Sequence, residues 1–191
     1  MTHDEAHGRA FTDERWDDAD LSGRTFSACT FQRCSFAGAD LSRARFEDCV
    51  FRGCNLSNAN LANASLQGVA FEDCKAVGLD FGKCRRLLLA VRFTDCDLSY
   101  GLFSGLDLRE TRFTGCRLRE VAFTGCKLGG ASFAGADLGR ATFGDCDLRA
   151  ADFREARDYG LDLARNQVKG ARFDYPAVLA LLAPFELDIE T

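Results

Sequence analysis

Ala39-Asp40-Leu41-Ser42-Arg43, Ala59-Asn60-Leu61-Ala62-Asn63 and Ala136-Asp137-Leu138-Gly139-Arg140 are copies of one five-residue unit. A small residue is followed by Asp or Asn, a large apolar centre and two further positions. Outward from these copies, nine phenylalanines (Phe11, Phe31, Phe51, Phe71, Phe93, Phe113, Phe133, Phe153 and Phe173) stand twenty apart, with one interval of twenty-two between Phe71 and Phe93. Four units therefore make one turn of a coil, and residues twenty apart occupy equivalent places on successive turns.

Centres run from Phe11, Trp16 and Leu21 to Phe81, then from Leu88 to Phe173, and sixteen of the seventeen phenylalanines fall on them. Two residues before each centre the side chain is usually Ala or Cys. Side chains two apart on an extended segment point the same way, so both positions face inward and the other three face out or turn a corner. Successive turns can pair as parallel strands roughly 4.8 Å apart, and parallel connections are right-handed in nearly all cases. The expected fold is all-β: a right-handed parallel β-helix of about eight coils with both ends capped. Residues 1–173 form it, 1–18 as a less regular N-terminal cap, and 174–191 form a short C-terminal helix and tail.

No apolar run approaches the roughly twenty residues of a membrane span, and the N-terminus is acidic rather than basic then apolar, so a cytoplasmic protein without membrane contact is expected. Of the ten cysteines, Cys29 to Cys146, all but Cys84 in the interrupted turn lie two before a centre, a place shared with Ala; this reads as a demand for a small buried side chain, not for a metal or disulfide. His3 and His7 precede the repeats. Asp or Asn recurs before a central Leu at Asp20, Asp40, Asn60, Asp97, Asp107, Asp137, Asp147 and Asp162, and recurrence on many sides marks a structural role. No phosphate loop, nucleophile elbow or catalytic constellation appears, so neither an enzyme nor a cofactor is expected.

The Ala-(Asp/Asn)-Leu units with Phe or Leu at centre resemble the pentapeptide-repeat family over about residues 19–173, and that resemblance implies a right-handed quadrilateral β-helix. After Phe173 the period stops at Asp174-Tyr175-Pro176-Ala177-Val178-Leu179-Ala180-Leu181-Leu182-Ala183-Pro184-Phe185-Glu186-Leu187-Asp188-Ile189. Asp174 suits an N-cap, Pro176 a first turn, and Pro184 limits the helix to about two turns. Val178, Leu181, Leu182 and Phe185 share one helical face with Leu179 beside them, and Leu187 and Ile189 alternate with acids as in an edge strand. These seven apolar residues are more than one coil end needs, and they are the expected homodimer interface. The ending is similar to that of the fluoroquinolone-resistance members of the family, the Qnr and MfpA type. The similarity implies a dimer that mimics duplex DNA, binds DNA gyrase or topoisomerase IV and protects it from quinolones or related poisons.

Charge is uneven. Residues 1–20 hold seven acids and two bases, residues 174–191 four acids and no base, and residues 21–173 eighteen acids and twenty-two bases. A C-terminal dimer would bring two acidic segments together, making Asp174, Glu186, Asp188 and Glu190, with Asp152 and Glu155 nearby, candidate partner contacts. The two extra residues around Cys84-Arg85-Arg86-Leu87 add a basic bulge in which Arg85 and Arg86 are further candidates. The balanced body also fits a rigid scaffold for another protein partner, and direct nucleic-acid binding is not expected. Asp158 occupies a centre and Asn166 a small-residue place; a charge there must be hydrogen-bonded or turned outward.

Overall fold

The computed structural model describes residues 5–186. The chain is a parallel β-solenoid whose turns meet on four faces. Thr30–Gln32 pairs with Ala10–Thr12 and Val50–Arg52, with Phe31 in register with Phe11 and Phe51. Single bridges join Arg15 to Ser35 and Asp20 to Asp40, and Thr25–Ser27 pairs with Arg45–Glu47. In chain order these are faces one to four, and face one carries the phenylalanine column.

Eight successive ring pairs, Phe11 to Phe173, stack at centroid separations of 4.6–5.4 Å. Its inner seven rings are buried, and the end rings Phe11 and Phe173 are half-buried. Each buried ring contributes roughly 1.5–3 kcal/mol. A second aromatic column changes sides along the rod. Phe26 and Phe46, on face four, meet the first column edge-on at 5.4 Å; beyond the twenty-two-residue turn, Phe81, Phe103, Phe123 and Phe143 do so from face three at 5.5–6.0 Å. Leucines take the vacated places: Leu21, Leu41 and Leu61 on face three, then Leu108, Leu128 and Leu148 on face four. The exchange keeps cross-section volume nearly constant, as a close-packed core requires.

Corners come in two kinds. Where the next inward small residue is Ala, its N–H closes the corner on the previous centre's carbonyl, as from Ala44 to Leu41 (3.0 Å) and Ala131 to Leu128 (3.0 Å). Where it is Cys the closing bond is generally missing, Cys84 and Cys116 excepted, and the thiol donates to backbone carbonyls instead. Cys54 Sγ reaches Phe31 O on the preceding coil and Arg52 O, both at 3.4 Å; Cys49 and Cys126 do likewise. The cysteine site therefore needs more than a small apolar side chain: an open corner leaves a carbonyl that alanine could not satisfy. All ten thiols are free and buried. Burial pushes Cys49 up to about 11 and Cys84 up to about 12.

The two extra residues lie where expected, but Leu88 is not a core centre. It is 40% exposed, Leu87 is 99% exposed, and Leu89 and Val91 pack on the core instead. The step of three residues from Leu66 to Val69 is matched by a step of only two, from Leu89 to Val91, and that shift moves the inward role from Leu88 to Leu89.

Both ends depart from the sequence-based reading. The N-terminal segment is regular from its first described residue: Glu5–His7 pairs with Thr25–Ser27, so His7 belongs to the ladder; His3 lies outside the described residues. At the other end, Asp158 turns outward at φ 57°, and Tyr159 enters the core beside Phe153 and Phe173. Asn166, 8% exposed, replaces the column's cysteine: its amide donates to Phe143 O (2.8 Å) and Asp162 O (2.9 Å) and accepts from Cys146 N–H (2.9 Å). The last helix, Ala177–Phe185, is a 3₁₀-helix rather than an α-helix, and it runs through Pro184 to Glu186 at φ 50°. Its i to i+3 bonding, seen from Pro176 O to Leu179 N–H, places Val178 and Leu181 in one row and Leu179 and Leu182 in another.

Candidate interaction surface

Every recurring Asp or Asn before a central Leu accepts the backbone N–H two residues on. The pairs include Ser22 to Asp20 (2.9 Å), Ala62 to Asn60 (3.1 Å), Gly139 to Asp137 (3.1 Å) and Ala164 to Asp162 (2.9 Å). The unit therefore builds its own local turn bond, and its carboxylates are structural before they are anything else. On faces one and four several are also paired with arginine. Arg109, Arg149 and Arg154 fold onto Asp107, Asp147 and Asp152 through both Nε and Nη2 at 2.6–2.9 Å and hold those carboxyls below the usual carboxylate range. Other pairs run from coil to coil, such as Arg33 with Asp13 (2.8 Å), Arg52 with Glu72 (2.7 Å) and Arg117 with Asp97 (3.0 Å).

Asp152 is thus neutralised by Arg154, while Glu155 is exposed and its backbone N–H is held by the Asp174 carboxylate. Asp174 does not cap the helix through its side chain; its carboxylate latches the segment to the preceding coil and its carbonyl accepts Val178 N–H (2.9 Å). Leu181 is 4% exposed within the chain's own core cluster and so closes the coil end, whereas Val178, Leu179 and Leu182 are half-buried. Between this helix and the last coil lies a groove of about 400 Å³, lined by Leu161, Leu163, Ala180 and Leu181 among others. Glu186 is exposed; Leu187, Asp188, Ile189 and Glu190, and the side chain of Phe185, lie outside the described residues.

At the bulge, Arg85 and Arg86 are exposed, and the Arg86 guanidinium lies across the corner at Gly105, 3.0 Å from where a Cβ would stand. Leu87 projects from the same turn, a feature that the bare residue count located without giving its orientation. Face three, which sequence reading did not single out, carries no lysine or arginine on its plane: the positions flanking its centres run from Asp20 and Ser22 to Thr142 and Gly144. Among the described residues no group of three or more His, Cys, Asp or Glu side chains could hold a metal ion, and no helix is long and apolar enough to cross a membrane.

The family described as the pentapeptide repeat region matches residues 24–87, 44–123 and 85–153. Among solved structures, a trypsin-treated variant of QnrB1, a plasmid-mediated fluoroquinolone resistance protein, is similar at TM-score 0.66 and 22% identity, over 97% of this chain and 100% of that one. Full-length QnrB1 aligns at TM-score 0.45 and 25% identity over 96% and 100%. HetL, a pentapeptide repeat protein involved in heterocyst differentiation regulation in a Nostoc cyanobacterium, aligns at 0.43 and 20% over 87% of each chain. The first of these likenesses is one of fold. No curated protein matches by sequence.

Proposed function

Because the chain belongs to the pentapeptide-repeat family, we propose that it works by presenting its surface to a protein partner: a homodimer that stands in for duplex DNA on DNA gyrase or topoisomerase IV and protects that enzyme from a quinolone or a related poison. The observation that carries this reading is the end-to-end fold match with QnrB1, itself a fluoroquinolone resistance protein, on a chain whose repeats also stop at an apolar C-terminal segment. Carboxylates fixed at coil intervals by their backbone bonds offer a partner regularly spaced polar contacts along the solenoid. The acidic segment 174–191 supports a negative dimer centre, with the half-buried Leu179 and Leu182 as the row of the helix left for a partner and Leu181 as its anchor. The role is non-catalytic and the working compartment is the cytoplasm. Purified protein should inhibit gyrase supercoiling at high concentration and, at lower concentration, preserve supercoiling when a quinolone is added; absence of both effects rejects the reading.

A scaffold for a non-topoisomerase partner is the second reading, supported by the arginine pairing that balances faces one and four. Unchanged supercoiling together with stoichiometric capture of another defined protein would favour it.

A further inference from the structure

Face three differs from the others in what it lacks. The first outward position of seven successive coils holds Asp20, Asp40, Asn60, Asp80, Leu102, Ala122 and Thr142, and the second holds only Ser, Ala, Gly or Thr. Each other face projects several bases, such as Arg92 and Arg112 on face one, Lys75 and Arg119 on face two, and Lys127 and Arg149 on face four. The plane is therefore smooth, and its short side chains lose little rotamer freedom when covered.

Exposed apolar groups gather at the same place. Among the described residues, five large hydrophobic side chains are exposed; Leu102 lies on face three and Tyr100 at its edge one corner before, while Leu87 and Leu88 stand on the adjoining bulge toward face four. Two apolar side chains one corner apart on an otherwise small polar plane are where a contact would form. Toward the N-terminus the plane turns acidic. Ser22 N–H and Ser42 N–H fix Asp20 and Asp40, each at 2.9 Å, and Asn60 Nδ2 donates to Asp40 at 3.0 Å. Arg24 and Arg43 are the bases nearest Asp20, and Lys83 meets Asp80 at 3.4 Å from the corner.

We infer that face three is a docking plane for a protein surface that carries a small apolar contact flanked by lysine or arginine side chains. Tyr100 and Leu102 take the apolar contact, and Asp20 and Asp40, pre-positioned by their backbone bonds, take the basic flank. The inference rests on the topoisomerase reading only for the partner's identity.

The test is hydroxyl-radical footprinting and affinity measurement on the full chain with two probes, whole DNA gyrase and a basic amphipathic Leu/Lys peptide. Leu102→Arg and Ala122→Arg reverse the character of the plane, and Ala134→Arg on face one is the control; melting curves confirm that each variant folds. Protection by either probe should fall on Tyr100 and Leu102, and the two face-three changes should weaken binding about tenfold or more while the control stays within about twofold. If the peptide protects these residues and gyrase protects no part of the chain, the topoisomerase reading falls and the docking plane stands. Protection elsewhere, no protection by either probe, or equal effects of the three variants overturns the inference.

Discussion

Asn166→Ala removes three hydrogen bonds at the last full corner and leaves Phe143 O and Cys146 N–H buried without their partner. An orphaned buried backbone group costs about 1–3 kcal/mol, so the variant should lose roughly 2–4 kcal/mol, with water entry from the coil end keeping it below the upper bound. Asn166→Cys should lose about half of that or less. A thiol in this column donates to the carbonyl below it, as Cys146 does to Phe123 O (3.5 Å), and on face two a thiol accepts an amide, as Cys74 does from Cys54 N–H (3.4 Å). Solenoid coils open from their ends, so urea denaturation should be read together with amide exchange at Cys146. The expected order is wild type, then Cys, then Ala, with Cys146 exchange accelerated in the Ala variant. If Asn166→Ala stays within about 0.5 kcal/mol of wild type with Cys146 protection unchanged, or if Cys is worse than Ala, the carbonyl-capping role of this column is wrong.

Gly115→Ala should cost clearly more than Gly125→Ala: both sit at positive φ, but an added Cβ at 115 would lie 2.1 Å from Asp95 Oδ1 whereas at 125 it meets nothing within 4 Å, and Asp95→Ala should restore most of the difference in a chemical denaturation cycle. Arginine bonding depresses the folded-state carboxyls of Asp107, Asp147 and Asp152, so their stabilisation is full above the ordinary carboxylate range and is lost as pH falls through the depressed values; Tm should hold between about pH 7 and 5 and fall below about pH 4, less steeply in high salt. A fall beginning near pH 6.5 would point to a histidine and contradict this. Native protein should leave a disulfide thiol reagent unreacted at mild alkaline pH and release all ten thiols only on unfolding, since burial suppresses thiolates such as those of Cys49 and Cys84. Leu182→Asp should yield a folded monomer by light scattering; a dimer that survives it places the interface outside the C-terminal helix.

The five-residue period was enough to read the four faces, the inward pairs and the place of the bulge, because one hydrophobic choice is repeated at every corner. It was not enough where two chemistries share one position. Ala and Cys alternate freely in a size-based reading, yet the missing turn bond at Cys54 and the closed one at Ala59 tie most cysteines to open corners, with Cys84 and Cys116 as exceptions. Asp158 and Asn166 were visible as exceptions, but only coordinates show one displaced by Tyr159 and the other replacing a thiol. The C-terminal helix was legible as an apolar segment, not in its 3₁₀ form, since a nine-residue stretch with two nearby prolines satisfies either periodicity. Face three escaped notice because its distinguishing property is the absence of bases, which appears only when residues twenty apart are collected face by face.

The most direct test of the functional account is gyrase supercoiling with a quinolone present, titrated with purified wild-type protein. Supercoiling should recover as the protein is added and then decline at excess, as a competitor for the DNA site would produce. Supercoiling that stays suppressed at every concentration, with no effect of the protein on gyrase alone, would contradict it.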